Sequence, residues 1–220
     1  MATKDFDLLI LGGVVYDGLG HPGLEADVAV AKDRIARVAT GIDPARAAEV
    51  IDARGMAVAP GFIDPHSHTD IELLVNPRAE SKIRQGVTTE IAGNCGYTVF
   101  PLTWRNYEER RRYCDEQYGV PLIWRDIGGF FSELESRGMA VNYATFMGHG
   151  TLRGAVFGAQ DRPPNSEELA AMKELIRQNM EMGALGLSTG LIYVPGCYAD
   201  QRELIELLLT CNSEAIFLLL

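Results

Sequence analysis

GFIDPHSHTD, residues 61–70, follows an apolar run, Ala57–Ile63, and ends in two histidines, His66 and His68, two positions apart. In an extended strand, alternate side chains share a face, so positions i and i+2 point the same way. Two imidazoles therefore project together from one strand end, at a spacing that suits a single divalent metal. Asp64 has the same parity. It is placed either to orient an imidazole from behind or to satisfy local backbone groups.

The flanking sequence reads as two regions. Residues 6–60 carry short strand candidates, Asp7–Leu11 and Val14–Tyr16, punctuated by Gly12-Gly13. Val28 and Val30 then turn back through Lys32-Asp33 into Arg34–Val38 as a hairpin. From residue 57 the rhythm changes. Ala57–Asp64 reads as a buried strand. Asn76-Pro77 is expected to cap a helix running to Gln85, and Val87–Ala92 is the next strand. Residues 98–139, polar and aromatic, read as a helical insertion. Tyr143–Met147 is a third strand. Asn165 with Glu168 reads as a capping box for a helix whose apolar face is Leu169, Met172, Leu175, Ile176 and Met180. Ala184–Ser188 is a fourth strand, a further helix starts at Asp200, and Ala215–Leu220 is a fifth strand candidate.

Alternation of this kind implies parallel strands with right-handed crossovers. It fits either a (β/α)8 barrel or an open doubly wound sheet. A barrel takes about 250 residues, so residues 61–220 hold roughly half of one. The domains expected are a small β-sandwich segment, 1–60, and a partial barrel, 61–220, with its insertion near 98–139.

With 220 residues and a net charge of −10, the chain offers no basic patch for nucleic acid. The densest basic run, Arg110–Arg112, lies among acidic residues and reads as a solvated helix face. Four cysteines (95, 114, 197 and 211) form no CxxC pair, which fits free thiols in a reducing compartment. The N-terminus lacks a signal peptide's apolar core, and no run approaches a membrane span. A soluble cytoplasmic protein is expected, with no nucleic-acid or membrane partner.

Cys95 ends the second strand and shares a rim with the histidines if the sheet is parallel. A thiolate there is a good metal ligand, although a lone cysteine is more often a small buried hydrophobe. His149, between two glycines at the third strand's end, contacts substrate or holds a loop. Arg153 can meet a substrate carboxylate or form a surface ion pair. Ser188, Thr189, Gly190 and Tyr193 line a pocket or serve a turn.

Taken together, a short β-segment followed by GFIDPHSH resembles the amidohydrolase superfamily. QGVTTEIAGNCG (85–96), MGHGTLR (147–153) and MGALGLSTGLIYVPG (182–196) resemble N-acyl-D-amino-acid deacylases, the D-aminoacylase family. The resemblance runs from about residue 6 to about residue 208. It implies a TIM-like (β/α)8 barrel and one or two Zn2+ ions, with His66, His68 and Cys95 as metal ligands. It also implies hydrolysis of the amide of a small N-acyl-D-amino acid. His149, Arg153 and Tyr193 are candidate substrate contacts. The family's two later histidines and late catalytic aspartate have no match before TCNSEAIFLLL. On that reading the chain is a truncated or frame-shifted product with little or no activity alone. A dihydroorotase- or hydantoinase-like cyclic amidase is the nearest rival, and Cys95 argues against its carboxylated lysine. A non-catalytic fragment is another rival. A doubly wound binding domain is a third, but no phosphate-binding glycine motif supports it.

Overall fold

A computed structural model describes residues 4–211 and 216–218 of the chain. They form two compact units, residues 1–61 and 62–220.

The first unit's described strands form one mixed sheet, not the two facing sheets of the expected β-sandwich. Its strands are β1 (Phe6–Val15), β2 (Leu24–Ala31), β3 (Arg34–Ala39), β4 (Ala47–Asp52) and the short β5 (Ala57–Val58). The order is β3-β2-β1-β4, with β5 also on β1. The two short candidates at the N-terminus are thus one ten-residue strand. Gly12-Gly13 does not end it; the register against β2 shifts there, as at a bulge. Gly12 has φ +70°, open to glycine without cost. Its N–H donates to the buried Asp27 carboxylate (2.8 Å), which also accepts from Ile42 N–H (2.9 Å). The Lys32-Asp33 hairpin forms as expected, with Lys32 N–H donating to Asp7 (2.6 Å). Leu9, Ala29, Ile42 and Ala47 fill the core beneath this sheet.

The second unit alternates strands and helices. β6 (Phe62–Asp64) leads through α1 (Glu72–Val75) and α2 (Glu80–Ile83) to β7 (Val87–Ala92). The insertion folds as α3 (Tyr107–Tyr118) and α4 (Ile127–Arg137). Then come β8 (Asn142–Thr145), β9 (Met147–Gly148), α5 (His149–Val156), α6 (Ser166–Glu181), β10 (Gly186–Ser188), α7 (Gln201–Leu208) and β11 (Ile216–Leu218). Every strand pair in this unit is parallel. β6-β7-β8 and β9-β10-β11 are separate ladders, but only Phe146 separates β8 from β9. Phe146 N–H still donates to Ala92 O (3.0 Å), and Leu185 N–H to Thr145 O (2.9 Å), so pairing passes through this segment from one ladder to the other. The result is an α/β unit built as the first portion of a (β/α)8 barrel. Of the expected fifth strand, Ile216–Leu218 lies parallel to β10; residues 215, 219 and 220 fall outside the described residues. No helix among the described residues is long and apolar enough to cross a membrane.

Two helix and strand assignments around the histidine segment are also corrected. Asn76-Pro77 does not start a helix. Asn76 closes α1, its N–H donating to Glu72 O (2.7 Å), and Pro77 lies just beyond, where proline commonly ends a helix. The Ala57–Asp64 strand is not one buried strand. Ala57–Val58 pairs with β1 in the first unit. Phe62 and Ile63 belong to β6, which pairs only with β7, and each is 62% exposed.

The helical insertion owes its place to aromatic packing. Trp124 and Phe130 are buried with ring centroids 5.2 Å apart, and the indole N–H donates to Val99 O (3.0 Å). α6 buries Met172 and Ile176 completely, with Leu169, Leu175 and Met180 packed beside them against Met147, Leu187 and Leu207. Full burial of each such side chain contributes about 1.5–3 kcal/mol. The capping box is present: Asn165 Oδ1 accepts from Glu168 N–H (2.9 Å), and Glu168 accepts from Asn165 N–H (2.8 Å). Arg162 grips the same carboxylate with two N–H donors (2.6 and 2.7 Å).

That grip holds the Glu168 carboxyl down at about 2, the Arg162 hydrogen bond being the main cause. A depressed carboxyl contributes stability that is complete above its ordinary value and is lost as pH falls through the folded value. Urea midpoints of the wild type and Glu168→Gln should therefore differ at pH 7, and the gap should narrow as pH drops below about 4.5 towards about 2. A gap that stays constant with pH would contradict this assignment.

Candidate metal centre

The two histidines are set by what lies between them. Ser67 is buried, and its N–H donates to Ile91 O (3.0 Å) on β7. Its hydroxyl meets Thr69 Oγ1 (3.0 Å), which in turn donates to the buried Glu90 (2.7 Å). With Ser67 turned inward, His66 and His68 share the outer side, their ring centroids 5.5 Å apart. Asp64 takes the local role of its two: it accepts from His66 N–H (3.1 Å) and pairs with Lys82 Nζ (2.5 Å). Lys82, foremost, holds the Asp64 carboxyl below its usual range. The same ammonium lies 3.0 Å from Glu90 Oε1.

Cys95 arrives on the loop after β7. Asn94, fully buried, ties this loop to the histidine segment: its side-chain NH2 donates to Ser67 O (3.2 Å) and Ile91 O (2.9 Å). Cys95 itself adopts φ +55°, rare for a residue with a side chain. Its Sγ lies 3.4 Å from His66 Nε2, and one ligand atom from each of His66, His68 and Cys95 falls within 4.8 Å of the others. A tetrahedral zinc with bonds of about 2.0–2.1 Å to nitrogen and 2.3 Å to sulfur separates N from S by about 3.5 Å. The Cys95–His66 spacing fits that edge. His68 is held below the usual imidazole value, first by burial and then by the His66 charge, with Glu72 opposing. The neutral ring is the form that ligates.

The loop approaches its neighbours closely. A Cβ on Gly190 would stand 2.1 Å from Cys95 O, and one on Gly148 would stand 2.6 Å from the Gly96 carbonyl. Buried Ser188 accepts from Gly96 N–H (3.1 Å) and donates to Gly93 O. This hydroxyl therefore braces the cysteine loop, and Thr189 beside it is buried too.

In front of the cluster lies a cavity of about 350 Å³ lined by His68, Cys95, Tyr97, Arg110, Thr151 and Tyr193, among others. Tyr193 is thus where a pocket residue is expected. His149 and Arg153 are not in that lining. Both are fully buried, and Glu203 of α7 binds both: His149 Nε2 lies 2.8 Å from Glu203 Oε1, and Arg153 pairs with Oε2. Arg153 also donates to Arg162 O (2.9 Å). The surface ion pair read for Arg153 is replaced by a buried one. Glu203 was legible only as a first-turn acid of its helix. Asp70, also missed, is buried behind His68. Desolvation pushes its carboxyl up to about 6, against a hydrogen bond from Tyr143 OH (2.8 Å).

The sequence model of the amidohydrolase family matches residues 49–209. A D-aminoacylase of Alcaligenes xylosoxydans xylosoxydans is 40% identical over 204 residues, 93% of this chain and 42% of that protein. An N-acyl-D-glutamate deacylase of the same organism is 37% identical, covering 91% of this chain and 40% of that protein. Among solved structures, an N-acyl-D-glutamate deacylase of Bordetella bronchiseptica, in complex with zinc and a phosphonate that mimics the tetrahedral intermediate, superposes with a TM-score of 0.81. It is 36% identical over 92% of this chain and 42% of that one. The chain spans about two fifths of the length of these relatives.

Gly190→Ala places a methyl group against the Cys95 carbonyl, and neither backbone can yield cheaply. Overpacking of this kind costs about 1–3 kcal/mol. Chemical denaturation should register that loss; an unchanged midpoint would show that the loop is free to move away.

Proposed function

Because the chain belongs to the amidohydrolase family, we propose that it supplies the first part of the metal site of a zinc-dependent deacylase that hydrolyses N-acyl-D-amino acids. The observation that carries this reading is the convergence of Cys95 Sγ on His66 Nε2 at 3.4 Å, beside His68. Two imidazoles and a thiolate make a donor set suited to zinc. When bound, zinc supplies Lewis acidity that activates water and polarises an amide carbonyl. His66, His68 and Cys95 would hold it. Ser67, Asn94 and Ser188 keep those three side chains in register. The cavity beside them, walled by Tyr97, Thr151 and Tyr193, takes the acyl amino acid. Its described lining contains no carboxylate, so no proton shuttle is assigned to it. The relatives named D-aminoacylase and N-acyl-D-glutamate deacylase support a linear N-acyl-D-amino acid as the substrate class. The protein is read as soluble and cytoplasmic.

The purified chain, loaded with zinc and dialysed, should retain the metal, and His66→Ala combined with Cys95→Ala should lose it by elemental analysis. Equal zinc in the two would remove the site. In a longer protein that carries this segment, N-acetyl-D-methionine should be hydrolysed in preference to its L enantiomer and to a cyclic imide. Faster turnover of the imide would overturn the deacylase reading.

A further inference from the structure

Arg153, the guanidinium that the sequence offers for a substrate carboxylate, is buried against Glu203. A different arginine faces the cavity. Arg110 of α3 lines both the 350 Å³ cavity that contains His68 and Cys95 and an adjoining one of about 470 Å³ walled by Trp104, Arg105 and Glu109. Tyr97 sets its position: the guanidinium carbon lies 4.4 Å from the ring centroid, and Nη1 donates to the phenol oxygen at 2.5 Å. Stacking and one hydrogen bond orient the group but do not neutralise it. Its helix neighbour Arg111 pairs with Glu108, and no carboxylate pairs with Arg110 among the described residues. Glu109 faces the outer cavity only.

The inner cavity therefore has one permanently charged side chain in its described lining, and that charge is positive. The rest of the wall is glycine, tyrosine, valine, proline and threonine, apart from the metal-site residues. A half-buried guanidinium with free N–H donors beside an apolar wall is suited to a carboxylate, which it meets with charge-assisted, often paired hydrogen bonds. The geometry points to Arg110 as the receptor for a carboxylate of the substrate and hence as a specificity-determining residue of this site. The inference rests on the deacylase reading. Every N-acyl amino acid carries an α-carboxylate, and the acidic ones carry a second on the side chain. The chemistry is the same, so the test must separate the two.

The zinc-loaded chain is titrated calorimetrically with N-acetyl-D-methionine, its α-amide, and N-acetyl-D-isoglutamine, whose only carboxylate is on the side chain. A hydrogen-bonded charge pair of this kind is worth about ten- to a hundredfold in affinity. The wild type should prefer a carboxylate ligand over the amide by that factor. Arg110→Gln should lose the preference with its zinc content unchanged, and Arg110→Lys should recover part of it. Loss with N-acetyl-D-methionine assigns the α-carboxylate to Arg110; loss confined to N-acetyl-D-isoglutamine assigns the side-chain group. Wild-type affinity for both acids in Arg110→Gln, or no binding of either acid by the wild type, overturns the inference. Failure of the deacylase reading gives a different result: carboxylate preference intact, with no hydrolysis of any N-acyl-D-amino acid by a longer protein carrying this segment.

Discussion

The cluster of His66, His68 and Cys95 depends on a backbone approach that only glycine permits. The Cys95 carbonyl occupies space that any side chain at position 190 would claim, and the Gly96 carbonyl does the same at position 148. Gly148 ends β9 and Gly190 follows β10, so the cysteine loop lies across the ends of two neighbouring parallel strands. That wedge holds Cys95 in a left-handed backbone conformation, which costs on the order of 1 kcal/mol or more and persists only where the surroundings over-determine it. Strain concentrated at a thiol 3.4 Å from the His66 imidazole and beside that of His68 marks a place where position matters more than local comfort.

Polar groups buried behind the rim enforce the same geometry. Asn94 joins the histidine segment to the cysteine loop through two carbonyls, and Ser188 joins the loop to β10. Removing one partner from such a set leaves another without water or protein to bond, a cost of about 1–3 kcal/mol per group. Glu203 plays a similar part further back, binding His149 and Arg153 and so fastening α7 to α5. The cavity is left with Arg110, a cation oriented by an aromatic ring instead of a carboxylate. The Arg153 guanidinium is neutralised by Glu203, whereas that of Arg110, resting on Tyr97, keeps its charge.

The features legible in the sequence were those with local physical causes. The i, i+2 spacing of His66 and His68 anticipates a shared side, and they do share one, although both lie past the end of β6 at Asp64; there the Ser67 N–H bond to Ile91 O, with Ser67 buried, sets them outward. The Asn165–Glu168 box and the apolar stripe of α6 need only helical geometry. Cys95 became a ligand candidate because parallel strands bring their ends to one rim. What failed depended on tertiary context. Asn76-Pro77 has the same composition whether it opens or closes a helix, and only the chain path decides. Gly12-Gly13 reads as a break but is a bulge, because Asp27 on the paired strand takes the Gly12 N–H. Arg153 and Arg110 could not be ranked from sequence. Glu203 lies 50 residues beyond Arg153, and Tyr97 is 13 residues before Arg110, so neither pairing leaves a periodic signal.

X-ray absorption at the zinc edge of the zinc-loaded chain tests the central claim most directly. The account predicts one sulfur at about 2.3 Å together with imidazole nitrogens at about 2.0–2.1 Å, and loss of the sulfur shell in Cys95→Ser. A first shell made only of nitrogen and oxygen in the wild type would contradict it, because Cys95 would then be a bystander to the two histidines.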